Sequence, residues 1–559
     1  MKNIFFCLAM VSALFLNSCE KNFDPNIYGS LSSANFPATE KDLEAYLMGC
    51  YRPFMNFWGY TPDGGTYRQT LHLAHIGINR MFDSPSDLGE PWLVGAFSGN
   101  WISISQSNFN NMNTVGRASN DGNPSHFEFV REVTRNTEVI GTIERIGPSI
   151  MEHDPARLQH LIGEARLLRG LLMYYLFHIF GPVPVIVDPA FVGSYDAEAN
   201  LVRPTITQMT TYIYDDFEFA VRNMSPTSTV RGRYNGDFAR FLLMRHCLNE
   251  GGHMPGYYDK AIEMFEELKA GARYSLFTTG GEAAYANLFK QNNKWNSEII
   301  MAVHASIAGT GSANAGDFNP FMMYALPTNL FKEAVLPNGE ANPFSANETQ
   351  SWGQVYNISP TFYDTFEDGD TRKNSIVTHY FQNNAARTLH TRETVGTTWS
   401  GFIINKFPIE INQRFQPTDV PLARWADVLL MYAEAVARKN QAVPAQDVLN
   451  ETVNAVRSRA MLAPLSGDAI ASFDSFMDAL LMERAHELYY EGNRKVDLIR
   501  FNKYRYNITK YKTLASWDYE IRQYFPIPNF AVLQAEEYGK TLSQWFTRPE
   551  WEEDKPYDP

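Results

Sequence analysis

Apolar residues recur every three or four positions along much of this chain, a spacing that places them on one face of an α-helix. The longest such pattern follows Asp154 and Pro155 and stops before Gly181 and Pro182. Asp is a preferred helix N-cap, Pro is favoured at the first helical position, and Gly followed by Pro ends helices. The pattern therefore predicts one helix over residues 155–180.

Shorter segments with the same periodicity predict further helices. Two of them begin at capping pairs, Thr39 with Asp42 and Thr205 with Gln208. The predicted helices after the first one cover residues 127–146, 205–223, 238–250, 257–270, 421–438, 445–459 and 473–490. Consecutive helices joined by short turns favour a solenoid of tetratricopeptide type.

Two long segments, 59–126 and 272–420, interrupt the helical pattern. Gly, Asn, Ser, Thr and Pro are frequent in them, yet both also contain several Trp and Tyr residues. A disordered segment is poor in aromatic residues, so these segments are predicted to be ordered loops that carry function. Within the second segment, residues 298–303 predict a short strand, and beyond the last helix residues 505–559 predict turns and short pieces.

The N-terminus has the pattern of a secretory signal, because Lys2 is followed by a mostly apolar run over residues 4–16. That run is too short to span a bilayer. Its end, Leu-Asn-Ser-Cys, resembles the bacterial lipobox, which implies a signal peptide over residues 1–18 and a lipidated Cys19. Residues 19–37 would then be a tether, anchored to a membrane by its acyl chains. The alternative is an ordinary signal that happens to contain this cysteine.

The net charge and the cysteine content limit which partners and metal sites the chain is expected to have. The formal net charge of −14 argues against nucleic acid and anionic membrane surfaces as partners. No Cys-x-x-Cys motif and no Cys/His cluster with zinc spacing is present in the sequence. Once Cys7 and Cys19 are assigned to the signal and the lipid, Cys50 and Cys247 remain, and their spacing does not decide whether they pair.

Several charged clusters are candidates for ion pairs or for sites. Glu483, Glu487 and Glu491 have the helical spacing of intrahelical ion pairs, and nothing in the sequence places them across a cleft as a glycosidase pair. Arg166 and Arg169 are predicted to bridge carboxylates and not to bind phosphate. A further set leaves a structural calcium open against a solvated turn, namely Asp364, Glu367, Asp368 and Asp370.

Five blocks, taken in their order and spacing, resemble the SusD/RagB family of Bacteroidetes surface lipoproteins. They are EARLLRG with YYL and FGPVP over residues 164–184, LARWADVLLMYAEA over 422–435, VNAVRSRA over 453–460, the charged block over 483–501, and FPIP over 525–528. The resemblance covers nearly the whole mature chain. It implies a mainly α fold, with about four tetratricopeptide-like helical pairs, a few short strands and a loop-rich ligand-binding face.

The resemblance also implies a domain plan and a role. One domain would cover residues 38–559, with a helical scaffold and two loop-rich binding excursions. The scaffold would comprise 38–58, 127–271 and 421–504, and the excursions 59–126 and 272–420. The protein would be a non-catalytic receptor on the outer-membrane surface, without a cofactor, and its partner would be a SusC-like TonB-dependent transporter. The usual ligand of the family is a glycan, although some members bind peptides.

Aromatic residues outside the helical blocks are the candidate ligand site, because Trp and Tyr rings stack on the C–H faces of sugars while amides meet the hydroxyls. The first excursion supplies Trp92, Asn100 and Trp101, and the second supplies Trp295, Tyr324 and Trp352. Trp58 and Trp399 are secondary candidates for the ligand site, whereas Trp425 is predicted to be a core residue.

The sequence therefore predicts a surface protein that captures an oligosaccharide or polysaccharide and delivers it to a transporter barrel. Three alternatives stay open at this point. The same scaffold would bind peptides in the first, and the chain would be a lipoprotein glycoside hydrolase in the second. In the third, it would be a structural subunit of a transporter complex that binds no ligand alone.

Overall fold

The described part of the chain excludes the predicted signal, Cys19, Trp58 and Trp92. The computed structural model describes residues 36–55, 70–72, 77–91, 99–109, 125–200, 202–307, 318–345, 348, 351–413, 415–513, 521–545 and 547–548, with the backbone alone at 99–101, 125 and 198. Within those ranges, helices account for most of the regular structure and none of them has the length and apolar character needed to cross a membrane.

The regular elements are labelled here in chain order over the described residues. The helices are α1 Glu40–Met48, α2 Gly99–Ser105, α3 Val130–Ile150, α4 Pro155–Phe180, α5 Tyr195–Glu198, α6 Ile206–Asn223, α7 Gly236–Glu250, α8 Tyr257–Ala270, α9 Ala284–Leu288, α10 Phe321–Ala325, α11 Pro360–Tyr363, α12 Trp425–Asn440, α13 Gln446–Glu451, α14 Val453–Arg459, α15 Phe473–Leu488, α16 Arg494–Arg500, α17 Tyr504–Tyr511 and α18 Asn529–Glu537. The strands are β1 Ile299–Val303, β2 Ile376–Val377, β3 Tyr380–Phe381, β4 Leu389–His390, β5 Ile403–Ile404 and β6 Val420–Arg424.

The long helix α4 forms over the 26 residues that the sequence predicts. Asp154 caps it by accepting a hydrogen bond from the Arg157 N–H, and Gly181 ends it at a φ of 75°. From Leu161 onward nearly every side chain is buried, because neighbouring helices cover it on several sides. Gly170 allows the approach of α6, since a Cβ at this position would lie 2.9 Å from the Phe217 ring.

The scaffold is a series of packed helical pairs. Helix α4 packs against α3 and α6, α6 against α7, α7 against α8, α8 against α12, and α12 against α15. The capping boxes predicted at Thr39 and Thr205 are both formed. The predicted mainly α, tetratricopeptide-like architecture is confirmed, and Trp425 packs in the core against Phe265 with ring centroids 6.0 Å apart.

Three predicted elements were wrong in part. Residues 421–424 are not the start of a helix but belong to strand β6, which pairs antiparallel with β1. The helix predicted over 445–459 is broken at Thr452, where φ and ψ are −113° and −98°. The C-terminal region predicted as turns contains helices α17 and α18. At 421–424 the pairing with β1 overrides the local pattern.

The loop-rich half contains three small antiparallel sheets, β1 with β6, β2 with β5 and β3 with β4. Pairing of β1 with β6 places Ile299 opposite Arg424 and Val303 opposite Val420. Strand β6 leads directly into helix α12, so this sheet joins the second excursion to the scaffold. The N–H of Trp425 donates to the Glu298 carbonyl at 2.9 Å and closes that junction.

The charged blocks form a buried ionic cluster between elements, which corrects the expectation of intrahelical pairs. Arg424 in β6 binds Glu487 of α15 at 2.9 Å and Glu491 at 2.7 Å, while Arg372 binds Glu483 at 2.6 Å. All of these groups are buried, so each charge depends on its partner. The cluster therefore ties the second excursion to the last scaffold helices.

The structure also places the paired arginine Arg169 and the two remaining cysteines. Arg169 binds Asp216 of α6 through two hydrogen bonds of 2.7 and 2.8 Å, so the predicted structural ion pair is formed. Cys50 and Cys247 are both buried free thiols. Burial raises the pKa of Cys50 to about 12, which keeps its thiol protonated at neutral pH.

Candidate functional site

Tyr324 and Trp352, both predicted ligand residues, lie in contact on the loop-rich half. Their ring centroids are 5.8 Å apart and their planes cross at 77°, an edge-to-face arrangement. Tyr324 is 5% exposed, whereas Trp352 is partly exposed. The tyrosine ring therefore supports the indole, and the indole is the member of the pair that reaches the surface.

Helix α10 positions Tyr324, and Asn319 positions α10. The Asn319 side chain accepts a hydrogen bond from the Phe321 N–H at 2.9 Å and donates to the Thr418 carbonyl at 2.9 Å. Asn319 also donates its own N–H to the Gln416 carbonyl at 2.8 Å. These bonds attach the short helix to the segment that enters strand β6, so the site is fixed to the scaffold.

The segment that carries Trp352 is bound to α10 through its main chain. The N–H of Trp352 donates to the Met323 carbonyl at 2.7 Å, and the N–H groups of Val355 and Tyr356 both donate to the Tyr324 carbonyl. The Tyr356 ring stacks on Phe321 with centroids 5.2 Å apart and planes at 4°. This arrangement fixes the backbone on both sides of the indole.

The two excursions meet next to this segment. Asn357 donates from Nδ2 to the Glu90 carbonyl at 3.1 Å and accepts the Glu90 N–H on Oδ1 at 2.8 Å. The Ser359 N–H donates to the Leu88 carbonyl at 2.8 Å. Gly89 lies so close that an added Cβ would be 2.4 Å from the Asn357 carbonyl oxygen. The described segment that ends at Pro91 thus lies against the second excursion.

The described segment that ends at Pro91 is also bound by residues near the C-terminal helices α16 and α17. Asp83 accepts hydrogen bonds from three consecutive main-chain N–H groups, those of residues 492–494, at 2.6 to 3.2 Å. Asp87 binds Arg494 through two bonds of 2.7 Å. Lys512 donates to the Ser84 carbonyl and to the carbonyl of Ser105, the last residue of α2. One lysine therefore joins the segment before Trp92 to the helix after it.

The remaining predicted site residues lie elsewhere or outside the described side chains. Asn100 and Trp101 are in α2, where only the backbone is described. Trp295 lies in the turn before β1 with a φ of 55°, and no described contact joins it to Tyr324 or Trp352. Trp399 is 1% exposed and donates from Nε1 to Thr391, so it belongs to the interior.

Asn357, Glu90 and Tyr490 help to build the site although sequence reasoning did not identify them. The Tyr490 hydroxyl donates to the Asn357 carbonyl at 2.7 Å and accepts its N–H at 3.2 Å. An asparagine in a loop gives no sign in the sequence of a partner that is 267 positions away. Only the packing of the two excursions reveals this role.

Three of the four carboxylates of the possible calcium site are bound by arginines. Asp364 pairs with Arg392, Glu367 with Arg457, and Asp370 with Arg372. Across the part of the chain that the structure describes, no group of three or more His, Cys, Asp or Glu side chains is arranged to hold a metal ion. What the described part of the site presents to a ligand is the partly exposed indole of Trp352.

Two models of known protein families match parts of this sequence. A model described as the SusD family matches residues 280–539. A second, described as starch-binding associating with outer membrane, matches residues 136–237. The chain belongs to the SusD family. The predicted family is thereby confirmed.

Named relatives agree with this SusD-like assignment. SusD-like protein P38 of Formosa agariphila is 26% identical over 382 residues, covering 65% of this chain and 69% of the relative. A SusD-like protein of Bacteroides ovatus is 24% identical over 530 residues, covering 90% of this chain and 83% of the relative.

Solved structures share the fold. A laminarin-binding SusD-like protein superposes with a TM-score of 0.66 at 19% identity, covering 92% of this chain and all of that one. Surface glycan-binding protein A from Bacteroides thetaiotaomicron, solved with laminarihexaose, superposes with a TM-score of 0.63 at 18% identity, covering 90% and 99%. At these identities the likeness shows the fold of this SusD-like chain and not its ligand.

Proposed function

We propose that this SusD-like protein binds a glycan at the cell surface without modifying it. The observation that carries the proposal is the edge-to-face pair of Tyr324 and Trp352, with the indole partly exposed beside the junction of both excursions. A partly exposed, rigidly supported ring suits the apolar face of a sugar. The glycan-binding proteins that share its fold support the same ligand class.

The ionic cluster supports binding without catalysis. A glycosidase needs one protonated and one ionised carboxyl group on either side of the scissile bond. Here Glu487 and Glu491, the acidic residues with suggestive spacing, are buried against Arg424. Burial alone raises the pKa of Glu487, but Arg459, Arg424 and Arg372 outweigh it and lower the pKa well below its usual range. Such a group is a poor proton donor to a sugar.

The family also supports an anchor and a partner. We infer that Cys19 carries the lipid, that the protein faces outward on the outer membrane, and that it delivers the glycan to a SusC-like TonB-dependent transporter. The description of the second matching family model, starch-binding associating with outer membrane, agrees with that location. Two or three acyl chains are enough for a stable anchor.

The first experiment is a native gel containing laminarin, amylopectin, xylan or mannan, with a casein peptide panel alongside. The chain from Glu20 onward is compared with Trp352→Ala and Trp352→Phe. We expect one polysaccharide to retard the wild-type chain without being degraded, and Trp352→Ala to weaken that binding at least tenfold. Trp352→Phe keeps a ring and should retain most of the binding.

Thermal unfolding of each variant serves as the control for folding. Retardation that is equal for wild type and Trp352→Ala would contradict the proposed site. A shift with peptide and none with any polysaccharide would replace the glycan by a peptide ligand. Release of reducing sugar by the wild-type chain would show that it is a hydrolase.

A further inference from the structure

A second groove lies on the scaffold, on residues that do not belong to the Tyr324–Trp352 site. It has a volume of about 860 Å³ and is formed by the start of α3, the segment 184–188, the region around α5 and α6, and helix α18. An adjoining hollow of about 570 Å³ shares Val187 and Tyr212 with it. Volumes of this size hold small-molecule ligands.

The groove has exposed aromatic rings at its rim. Among the large apolar side chains that are exposed in the described residues, three are aromatic: Phe191, Tyr195 and Tyr538, at 53%, 71% and 37%. Phe191 lines the groove, and the other two belong to or follow helices whose residues line it. The Tyr195 and Tyr538 rings are themselves in contact, with centroids 5.9 Å apart. Exposed rings of the described chain are thus gathered at one place.

The groove also contains side-chain amides that lack hydrogen-bond partners among the described residues. The amide of Gln208 uses Oε1 to accept the Thr205 N–H at 2.9 Å, and its Nε2 has no hydrogen-bond partner among the described residues. The side-chain amides of Asn200 and Gln534, which also line the groove, make no hydrogen bond within the same ranges. These three amides therefore remain available to a ligand.

The floor of the groove adds main-chain donors. Residues 185–187 belong to no helix or strand and are partly exposed, and none of their N–H groups has a hydrogen-bond partner in the described structure. Two of their carbonyls are taken, since Ile186 accepts from Thr137 and Val187 accepts from Arg169 at 2.8 Å. Main-chain donors in such a position are normally met by water or by a ligand.

We propose that this groove is a second oligosaccharide-binding site. A sugar presents C–H faces to rings and hydroxyls to amides and N–H groups, so it would meet both kinds of surface at once. The exposed aliphatic Val202 and Leu533 would also suit a protein partner. An apolar protein surface, however, would bury the open amides and N–H groups without hydrogen-bond partners, which is unfavourable. The observations therefore favour the sugar.

The inference rests on the proposed glycan-binding function and extends it. Two sites on one chain would hold a long polysaccharide by avidity, which a short oligosaccharide cannot exploit. The variant that tests the groove is Phe191→Ala combined with Gln208→Glu. Glu is as good as Gln at this capping-box position, so the substitution removes the free amide donor but keeps the helix cap. Val230→Ala, at a residue 56% exposed outside the groove, is the matched control.

The experiment measures gel retardation in laminarin, amylopectin, xylan and mannan, and binding stoichiometry by calorimetry with hexasaccharides of the same four glycans. We expect the groove variant to weaken retardation three- to tenfold and to reduce the stoichiometry from two to one, while Val230→Ala changes neither. A combined groove and Trp352→Ala variant should lose all retardation. The four proteins are compared only where their unfolding temperatures agree within a few degrees.

Each other result overturns the inference in a recognisable way. A wild-type chain with one site, and a groove variant that binds like it, would remove the groove proposal and leave the proposed function standing. A wild-type chain that none of the four glycans retards would remove both. A groove variant that keeps full glycan binding but no longer co-purifies with the transporter barrel would make the groove a protein-docking surface instead.

Discussion

The side-chain amide of Asn357 forms two hydrogen bonds with the main chain of Glu90, donating to its carbonyl at 3.1 Å and accepting its N–H at 2.8 Å. An amide in this position acts like one residue of a neighbouring strand. It joins the two loop-rich excursions at a point five residues beyond Trp352 and two residues before Trp92. The placement of the segment that carries Trp352 against the described segment that ends at Pro91 therefore depends on this contact.

Gly89→Ala is expected to disturb that contact. The new Cβ would lie 2.4 Å from the Asn357 carbonyl oxygen and 2.8 Å from the Tyr490 hydroxyl, so one of the two segments must move. Overpacking of this kind costs about 1–3 kcal/mol. We expect denaturant unfolding to show a loss in that range and gel retardation by the glycan to weaken.

Gly252→Ala is the matched control, because the nearest atom to its Cβ would be the Tyr258 hydroxyl at 3.8 Å. If both alanine variants unfold at the same denaturant concentration as wild type, the close approach of the two excursions is not what fixes the site.

Tyr324 is expected to act as a support for Trp352 and not as a main contact of the glycan. Its ring is 5% exposed and meets the indole edge to face. Tyr324→Leu should remove an aromatic contact worth about 0.5–1.5 kcal/mol and weaken glycan binding several-fold. Tyr324→Phe keeps the ring and should bind as wild type does. Calorimetric titration of both variants checks this, and a large loss with Tyr324→Phe would show that the hydroxyl itself is needed.

Acid sensitivity is expected at the buried pair formed by Arg548 and Glu250. Burial alone raises the pKa of Glu250, but Arg548 outweighs it and lowers the pKa to about 2. Because the folded pKa is depressed, the stabilisation is present above the unfolded value near 4.5 and is lost as the pH falls toward 2. Arg548→Met leaves the carboxylate buried without its partner and should cost about 3–5 kcal/mol at pH 7.

Urea unfolding at pH 7 and pH 3 measures this effect, and the gap between wild type and Arg548→Met should narrow at pH 3. Arg392→Met is the control, since Arg392 and Asp364 form an ion pair in which both side chains are about half exposed. Exposed pairs of this kind contribute about 0–1 kcal/mol. Equal losses in the two variants would argue against a special role of the buried pair.

Lys495 is expected to destabilise the fold at neutral and acidic pH. Its Nζ lies 4.7 Å from the Phe525 ring centroid and has no hydrogen-bond partner among the described residues. Burial lowers its pKa to about 7. Below that pH the folded state must bury the charge, and between pH 7 and about 10.5 only the unfolded state keeps the proton, so stability rises with pH across this window.

Lys495→Met should therefore unfold at higher urea than wild type at pH 6, and the two should converge as the pH approaches 10. Lys512, whose pKa burial also lowers to about 7, is present in both proteins, so the difference isolates Lys495. If the difference in urea midpoint between wild type and Lys495→Met stays constant from pH 6 to pH 10, the lysine is not buried as a free amine.

Sequence reasoning succeeded where the information is local. The cap at Asp154, the glycine at 181 and the apolar periodicity between them lie within one helix, and helix α4 forms over the predicted residues. The same reasoning is wrong at 421–424, where the apolar residues before a helical pattern predict the first turn of the helix. Pairing with β1 made it a strand instead, and that partner is more than a hundred positions away.

The candidate site shows the same division. The choice of Tyr324 and Trp352 as aromatic residues outside the helical blocks was open to sequence reasoning, but their mutual contact depends on hydrogen bonds between α10 and the segment that begins at residue 351. The groove along 184–188 was not foreseen at all. Its walls come from the start of α3, from α6 and from α18, which are far apart in sequence.

The sequence by itself determined the helical class, the family and most scaffold helices of this protein, because caps and periodicity act over a few turns of one chain segment. Only the tertiary structure decided which aromatic rings meet, where open polar groups gather and which charges are buried together. Those features depend on contacts such as Asn357 with Glu90, whose partners are 267 positions apart and carry no mark of each other in the sequence.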